Sequence, residues 1–288
     1  MKNSVYDIVT DAILAQIEQG VIPWHKPWAT VKPYNFKTGK EYRGVNPILL
    51  SGATDPRFLT FNQAKELGGN VKKGAKSHIV VFWSPLSVKT VKDEESGEEL
   101  VDSKSLGKFV LKYYRVFCAS DIEGIDFGPL PVPVKEFNPI DAAEQVWNDY
   151  KNRPAFVMGG NKACYYPSRD QIQMPLKEVF ESPEEYYSTL FHEMGHSTGH
   201  PTRLNRKGIA EFNGFGTHTY SYEELVAEMT AAFLCTHVGI ENTIQNSASY
   251  IKGWASKLKE DTKMIVLAAS QAQKASDLIL GVNKGGVE

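Results

Sequence analysis

The stretch His192-Glu193-Met-Gly-His196 constrains this chain more than any other part of its sequence. On an α-helix, residues four apart lie on one face about one turn apart, so both imidazoles can reach the same metal ion. Glu193 lies about 100° round that helix, where its carboxylate can act as a general base on water instead of binding the metal. Zn²⁺ suits two imidazoles, a third protein ligand and an open position. The alternative is an ordinary amphipathic helix whose histidines only pack or face solvent.

Local signals predict a helix over roughly 183–198 around this motif. Ser182 is a suitable N-cap, and Pro183 fits the first helical position because its missing N–H would have no partner there. Apolar residues follow at helical spacing, and Gly199 is expected to end the run. The motif therefore has the local sequence context that a metal-binding helix needs.

Length, charge and cysteine content narrow the class of protein. The 288 residues, 42% of them hydrophobic, fit two domains with packed cores. The net charge is −2, but residues 1–85 hold 11 Lys and Arg against 6 Asp and Glu, which points to a polyanionic partner. Three distant cysteines without a CxxC pattern, no long apolar run and no apolar leader predict a cytoplasmic protein that does not enter a membrane.

The pattern of apolar and turn-forming residues predicts an α+β fold with two domains. The first domain, 1–125, is mixed α/β, a proline-containing linker follows at 126–137, and the second domain covers 138–288. Strands are expected from His78 to Trp83, from Lys108 to Phe117 and on both sides of the Ser168–Asp170 turn, with a long charged loop at 87–107. Helices are expected at 4–20, 46–50, 60–67, 139–152, 220–235, 246–257 and 260–280, and a loop at 204–219.

A third metal ligand has to come from elsewhere in the chain. A third histidine ten residues after the first is excluded because position 202 is Thr202, and His200 lies where the helix should already be ending. Glu224 and Glu228 share one face of a later helix, and the small side chain of Ala227 lets that helix approach the first one closely. Both glutamates are therefore candidates.

Glu224 is the expected third ligand, with Glu228 accepting a hydrogen bond that orients a ligand histidine. The alternative is a capping box between Ser221 and Glu224, which would leave Glu228 as the ligand. Glu223 is expected to face away into solvent. Two histidines and a glutamate make a gluzincin-like metallopeptidase site, in which Glu193 would act as general base.

Such an enzyme also needs a place for its substrate and a group that stabilises the oxyanion. The strand around Tyr165 or Ile172 could pair with an extended peptide, with an ordinary core strand as the alternative. The oxyanion group could come from His218, Tyr220 or Tyr222, among which the sequence does not choose.

The front half of the chain interleaves aromatic and basic residues. Binders of single-stranded DNA use flat rings for base stacking and cations along the phosphates. The alternative is a packing role, because aromatic residues are common in cores. The candidate DNA contacts are Trp24, Lys26, Trp28, Tyr42, Arg43, Lys72, Lys73 and Lys76.

Motifs in both halves resemble one known family. The front half resembles the N-terminal domain of ArdC-type antirestriction proteins, and the back half resembles the zincin-like domain of the same family, which also occurs in TraC-type plasmid primases. The front-half motifs are Pro23-Trp24-His-Lys-Pro27-Trp28, Asn35-Phe-Lys-Thr-Gly39, Tyr42-Arg-Gly-Val-Asn46, Phe58-Leu-Thr-Phe61, Gly69-Asn-Val-Lys-Lys-Gly74 and Val80-Val-Phe-Trp83. The back-half motifs are Tyr166-Pro-Ser-Arg-Asp170, His192-Glu-Met-Gly-His196-Ser-Thr-Gly-His200, Arg203-Leu-Asn-Arg206 and Glu223-Glu-Leu-Val-Ala-Glu228.

The resemblance implies a plasmid- or phage-borne protein that binds single-stranded DNA and protects entering DNA from host restriction. It implies metal ligands at His192 and His196, a third ligand among the glutamates of the Glu224 helix, and Glu193 as catalytic base. The expected ion is Zn²⁺, with Mn²⁺ as an alternative divalent metal. A host restriction subunit or another DNA-associated protein would be the peptidase substrate.

Two other functions remain as alternatives. One is a DNA-binding protection module whose metal domain is structural and not proteolytic, because a zincin fold alone does not establish proteolysis. The other is a metal-dependent DNA hydrolase, although the sequence lacks the carboxylate cluster that is usual for two-metal sites.

Overall fold

A computed structural model of the chain describes residues 4–18, 32–51, 53–85, 109–130, 139–210, 218–240 and 248–282. These residues form two compact units. The first contains the described residues up to 130 together with residues 249–266, and the second contains those of 139–248 and 267–282. The predicted α+β class with two domains is confirmed.

Helices and strands occur in both units. The helices are α1 Val5–Ile17, α2 Asn46–Leu50, α3 Phe61–Glu66, α4 Pro139–Asp149, α5 Pro183–Ser197, α6 Lys207–Ala210, α7 His218–Val238, α8 Ala248–Glu260 and α9 Met264–Ile279. The strands are β1 Tyr34–Asn35, β2 Arg57–Leu59, β3 Asn70–Val71, β4 His78–Pro85, β5 Phe109–Cys118, β6 Ile122–Glu123, β7 Ala155–Met158, β8 Cys164–Tyr166 and β9 Gln171–Met174.

In the first unit, α1 begins at a reciprocal cap. The Asp7 N–H donates to Ser4 Oγ at 3.2 Å, and the Ser4 N–H donates to Asp7 Oδ2 at 2.9 Å. Both groups would otherwise lack a partner at the start of the helix. Val5, Val9 and Ile13 recur at helical spacing and are fully buried, which is why this segment is an amphipathic helix, as predicted.

The main sheet of the first unit has the strand order β1-β2-β5-β4. β4 and β5 pair antiparallel from His78 opposite Val116 to Pro85 opposite Phe109, which confirms the two predicted strands and their pairing. β1 and β2 are parallel, and β3 and β6 form a separate antiparallel pair. Asn46 of α2 covers the outer edge of β4, because its side-chain amide donates to the Val81 carbonyl at 2.9 Å and accepts from the Val81 N–H at 2.7 Å.

A buried ion pair fixes the end of the first unit. Arg57 pairs with Asp55 at 2.7 Å, and both residues are buried. The same guanidinium donates to the carbonyls of Phe127, Gly128 and Pro129. The first residues of the predicted linker are therefore attached to this unit.

Residues 249–266 also belong to the first unit, although they follow most of the second unit in sequence. Trp254 and Leu258 of α8 are buried. Thr10 of α1 donates to the Thr262 carbonyl at 2.8 Å, and the Lys263 ammonium lies 5.6 Å from the Tyr6 ring centroid. The domain boundaries predicted at 125 and 138 assume that each domain is continuous in sequence. A prediction of that kind does not assign residues 249–266 to the same unit as α1.

The second unit packs α4, α5, α6, α7 and most of α9 with a three-stranded sheet of order β7-β9-β8. β7 is parallel to β9, and β8 is antiparallel to it across the predicted turn. β8 is therefore an edge strand. The buried core joins α4, α5, α7, α9 and this sheet, together with Ile209 of α6.

A few segments differ from prediction or lie outside the described residues. The short helix α6 interrupts the loop expected at 204–219, and α7 runs from His218 to Val238, beyond both predicted ends. The charged loop predicted at 87–107, and residues 131–137 of the predicted linker, lie outside the described residues. None of the helices in the described ranges is long and apolar enough to span a bilayer.

Candidate metal centre

The first helix of the site, α5, forms for the reasons predicted from its sequence. The Glu185 N–H donates to the Ser182 hydroxyl at 3.2 Å, and Pro183 is the first helical residue. The helix ends at Ser197, two residues before Gly199. Leu190, Phe191 and Met194 lie on its buried face. The two histidines therefore lie on the opposite side of the helix.

The second helix of the site, α7, packs against α5 at very short range. A Cβ atom added to Gly195 would lie 3.0 Å from Ala227 Cα and 3.2 Å from Thr230 Cβ. The predicted role of Ala227 in close helix approach fits this contact. Ser221 lies inside α7 and not at its start, so the capping box with Glu224, considered as an alternative, does not form.

These two helices bring His192, His196 and Glu224 together. The two histidine Nε2 atoms are 3.1 Å apart, and the Glu224 carboxylate oxygens lie 3.5 Å from each of them. Among the described residues, this is the group of metal-ligating side chains whose ligand atoms lie within 4.8 Å of one another. An ion with bonds of about 2.0–2.1 Å in tetrahedral geometry places its ligands about 3.3–3.4 Å apart. The three side chains therefore fit one divalent ion.

The electrostatics of the site also favour a cation. Burial lowers the pKa of His192, but the hydrogen bond that His192 donates to Glu224 and the negative charges of Glu193, Glu224 and Glu228 outweigh burial and raise the pKa to about 9. A divalent ion entering the site would replace that proton, since imidazole binds metals in its neutral form. The excess of carboxylates thus stabilises positive charge at this position.

Glu193, the predicted catalytic base, is buried beside the histidines and does not belong to the ligand group. Its Oε2 atom accepts a hydrogen bond of 2.7 Å from the Tyr165 backbone N–H of the edge strand β8. That N–H points away from β9 towards α5. The strand therefore fixes the carboxylate next to the three ligand atoms without using a side chain.

Glu223 departs from the prediction that it faces solvent. The residue is only 2% exposed, and Arg206 donates to its two oxygens at 2.5 and 2.9 Å. Burial raises the pKa of Glu223, but the hydrogen bonds and the charge of Arg206 outweigh burial and lower it, so the carboxylate is charged. The error arose because helical spacing alone placed Glu223 away from Glu224, and the segment carrying Arg206 covers that side.

Glu223 also faces one of the candidate ligand histidines. Its Oε1 atom lies 3.6 Å from His196 Nδ1, a buried atom that has no hydrogen-bond partner among the described residues. A small shift would make this a hydrogen bond, which is the usual way in which a carboxylate orients a metal-binding imidazole. From the sequence, Glu228 was the residue expected to orient a ligand histidine. The structure places Glu228 close enough for its charge to act on His192, but outside the ligand group.

Two arginines tie the chain after α5 back to that helix. Arg206 also donates to the Gly195 carbonyl at 2.8 Å and to Thr198 Oγ1 at 2.6 Å. Arg203 donates to the Ser197 carbonyl at 2.7 Å and pairs with Asp170. From the sequence, both arginines were identified only as part of a family motif, with no role assigned to them. Their buried guanidinium groups indicate a structural role, and this burial is visible only in the folded structure.

The Asp170 end of that network supports β8. Tyr165 donates its hydroxyl to Asp170 Oδ1 at 2.9 Å, and Arg203 lies 3.3 Å from the same hydroxyl. Asp170 adopts a left-handed conformation with φ of 45° between β8 and β9, a conformation that Asp and Asn tolerate better than other residues. The network thus holds the strand whose backbone orients Glu193.

The remaining candidates near the site take no part in the ligand group. His200 Nδ1 bonds with the Thr202 hydroxyl at 2.8 Å in the loop after α5, where the helix was expected to have ended. The side chains of His218 and Tyr220 lie outside the described residues, and Tyr222 is half-buried. The choice of oxyanion group stays open among these three.

The candidate DNA contacts fall into three groups. Trp24, Lys26 and Trp28 lie outside the described residues, whereas Arg43, Lys72, Lys73 and Lys76 are exposed. Lys72 donates to the Ser120 carbonyl at 2.7 Å. Tyr42 is only 6% exposed, and its ring packs edge-on against Phe58. Tyr42 packs among apolar side chains of the core. Because it is buried, neither face of its ring is available for stacking on a base.

Comparison with known domain families matches both halves of the chain. Residues 3–117 match the N-terminal domain of the anti-restriction factor ArdC, and residues 141–271 match a family described as zincin-like metallopeptidase. The second match contains the three proposed ligands and Glu193.

Solved structures match nearly the whole chain. The antirestriction protein ArdC of plasmid R388, crystallised with Mn(II) bound, is 33% identical, with a TM-score of 0.73 over 97% of this chain and 98% of that one. Its metal-free form matches with a TM-score of 0.72 at 34% identity, over 96% of this chain and 97% of that one.

Sequence relatives include a DNA primase, TraC, of Escherichia coli, 32% identical over the full length of this chain but over only 28% of the primase. A second TraC primase is 33% identical over 20% of its own length. The chain thus spans less than a third of these primases. An uncharacterised protein of Sinorhizobium fredii, y4eC, is 31% identical over 95% of this chain and 90% of its own length.

Proposed function

Because this chain belongs to the family of ArdC-type antirestriction proteins with a zincin-like domain, we propose that it binds single-stranded DNA and carries a metallopeptidase site that helps to protect entering plasmid or phage DNA from restriction. The observation that carries the enzymatic part is the spacing of His192, His196 and Glu224, with Glu193 fixed beside them. A purely structural metal site would not need Glu193. We expect the protein to act in the cytoplasm, where entering DNA meets host restriction enzymes.

The proposed cofactor is a divalent metal, with Zn²⁺ as the first candidate and Mn²⁺ as the second. His192, His196 and Glu224 would hold it. Two imidazoles and one carboxylate suit both ions, and Mn(II) is the ion in the matching ArdC crystal structure. When bound, the ion would supply Lewis acidity that polarises the scissile carbonyl and makes water more acidic.

The chain's own residues would carry the proton and position the substrate. Glu193 would accept the proton of the attacking water and pass it to the leaving amine. The Tyr165 N–H keeps that carboxylate in place through one oxygen and leaves the other for the water. β8 is an edge strand, whereas Ile172 lies in the central strand β9, so β8 is the better candidate for pairing with an extended peptide, which would use backbone groups other than the Tyr165 N–H bonded to Glu193.

The substrate that we propose is a host restriction subunit or another protein bound to the same DNA. DNA binding by the first unit would bring such a protein to the peptidase. The local excess of positive charge over residues 1–85 and the exposed Arg43, Lys73 and Lys76 support binding to a polyanion.

The variant Glu193→Gln tests the peptidase. It preserves the volume of the side chain and the acceptor for the Tyr165 N–H but removes the base. We expect metal content by elemental analysis to equal that of the wild type, while cleavage of casein or a peptide library is lost. The matched control, His192→Ala, should lose metal as well.

Protection of transforming DNA in a restricting host separates the two functions. If Glu193→Gln protects DNA as well as the wild type does, the metal domain is not needed as a protease and the DNA-binding module is the correct function. A wild-type protein that retains no divalent metal after purification and reloading would overturn the metal site itself.

A further inference from the structure

One face of the β4–β5 hairpin presents two aromatic rings to solvent. Phe82 is 44% exposed and Tyr114 is 41% exposed, and their ring centroids lie 5.8 Å apart with the planes at 61°. The register places Lys112 opposite Phe82, and Tyr114 lies two residues further along β5. Because side chains alternate between the two faces of a strand, these three residues lie on the same face.

The same face of the sheet becomes a packed core at its other end. Val80 and Val116 are buried there, together with Tyr42, whose ring centroid lies 6.4 Å from that of Phe82. The strands under the exposed rings are therefore held by buried neighbours. Phe82 and Tyr114 extend a rigid surface, and rings held in place lose little conformational entropy when a ligand binds.

The charge of the hairpin suits a polyanion. The strands β4 and β5 contain no aspartate or glutamate; Lys112 lies on the face of the two rings, and Arg115 lies on the opposite face. Arg43, the residue after Tyr42, is also exposed. A phosphate chain on this face would thus meet the Lys112 cation and no carboxylate of these two strands.

The exposed rings distinguish single-stranded from double-stranded nucleic acid. In a duplex the base faces are stacked on one another, so a protein ring reaches them only if the helix is opened. In a single strand the bases can stack on protein rings while cations bind the phosphates between them. Two exposed rings in contact with each other, with a lysine on the same face opposite Phe82, have the components of such a site.

We propose that Phe82, Tyr114 and Lys112 form the binding surface for single-stranded DNA. The two rings stack on bases, and the Lys112 ammonium pairs with a backbone phosphate. This inference rests on the proposed DNA-binding function and locates it. It replaces Tyr42, which packs beneath Phe82, as the aromatic contact.

Fluorescence anisotropy with a labelled single-stranded oligonucleotide of mixed sequence tests the inference on the full-length chain. Base–ring stacking stabilises complexes enough that Phe82→Ala or Tyr114→Ala should each weaken binding by about 5- to 150-fold. Tyr114→Phe keeps the ring and should stay within about twofold of the wild type. Phe61→Ala is the matched control, because Phe61 is 39% exposed in the same unit but lies on α3.

Lys112→Gln gives a test that does not depend on the packing of the rings. It should lower affinity and reduce the slope of log K against log salt by about 0.7, the value for one phosphate contact on a single strand. Duplex DNA of the same sequence, added as competitor, should displace the labelled strand far less well than unlabelled single strand does.

The outcomes separate this inference from the function on which it rests. If the wild type binds the single strand and the alanine variants and Lys112→Gln bind equally well, the DNA lies elsewhere and the surface is wrongly assigned. If duplex competes as well as single strand, the rings do not stack on bases. If the wild type itself shows no salt-sensitive binding, the proposed DNA-binding function fails.

Discussion

Glu223 makes two contacts that bear directly on the proposed metal site. It neutralises the buried Arg206 and lies 3.6 Å from the buried Nδ1 atom of His196. A carboxylate next to the far nitrogen of a ligand imidazole fixes which nitrogen faces the metal and increases its basicity. Glu228, the residue expected to do this from the sequence, lies near His192 instead and acts through its charge.

The two glutamates can therefore be separated by their effect on metal affinity. Glu223→Gln should weaken metal binding by about 10- to 100-fold, as loss of an orienting partner usually does. Glu228→Gln, which keeps every ligand and Glu223, should weaken it less. Competition with a chromophoric chelator measures both affinities, and circular dichroism shows whether the variants fold. A larger effect at Glu228 would return the orienting role to that residue.

Asp170 offers a test of pH dependence at the residue scale. Burial raises its pKa, but the hydrogen bonds from Arg203 and Tyr165 and the charge of Arg203 outweigh burial, so the pKa lies below its ordinary value. A carboxyl with a depressed pKa stabilises the fold above its ordinary pKa of about 4, and this stabilisation is lost as pH falls through the folded-state pKa.

We expect Asp170→Asn to lower the free energy of unfolding at pH 7 and to flatten its decline between about pH 5 and pH 3. Asparagine tolerates the left-handed backbone, so the turn itself is kept. Urea unfolding of both proteins across that range measures the difference. Parallel pH profiles would mean that the Arg203 pair contributes nothing that depends on ionisation.

At the scale of elements, the site depends on how closely α5 and α7 approach. His192 and His196 lie on one helix and Glu224 on the other, so the distance between helices sets the distance between ligands. Gly195 is the contact point, and the atoms facing it include the backbone of Ala227. Backbone atoms cannot rotate away as a side chain can, so a larger residue must separate the helices.

Gly195→Ala tests this contact. Alanine favours the helix by up to about 1 kcal/mol over glycine, but overpacking costs about 1–3 kcal/mol, so the net result should be a loss of stability of up to about 2 kcal/mol. Metal affinity should fall with it. Chemical denaturation and chelator competition measure the two effects.

The matched control is Gly253→Ala in α8, where an added Cβ atom meets nothing within 4 Å and the residue is exposed. Here only the helix preference acts, so stability should rise by about 0.5–1 kcal/mol. Equal changes in the two variants would show that the close approach of α5 and α7 does not limit the site.

At the scale of the whole molecule, the chain does not divide simply into a front half and a back half. Residues 249–266 belong to the first unit, although most residues of the second unit precede them in sequence. Leu258 of α8 is fully buried in the first unit, and Leu234 of α7 is fully buried in the second. The two leucines are equal in size and burial and differ in the unit that they support.

Leu258→Ala and Leu234→Ala should therefore each cost about 2–5 kcal/mol but affect different functions. The first should increase hydrogen exchange in β4 and β5 and weaken DNA binding, and the second should increase exchange in α5 and weaken metal binding. Hydrogen-exchange mass spectrometry of the full chain locates the loss. Increased exchange in α5 caused by Leu258→Ala alone would contradict the assignment of α8 to the first unit.

The sequence by itself determined the helix with two histidines, the glutamate between them, the β4–β5 hairpin and the α+β class. Each of these follows from local spacing: a helical period places His192 and His196 on one face, and alternation with turn residues predicts paired strands. The third ligand was narrowed to two glutamates on one helix face. The exact limits of the two domains stay a prediction.

Only the tertiary structure decided which side chains meet across elements. Spacing along α7 says nothing about the segment carrying Arg206 that covers Glu223, about the β8 backbone that holds Glu193, or about the burial of Tyr42 beside the exposed Phe82. The physical reason is that burial and pairing depend on residues far apart in sequence, here 17 positions between Arg206 and Glu223 and 28 between Tyr165 and Glu193. Local patterns give each side chain a direction along its own element, and packing then determines what it contacts.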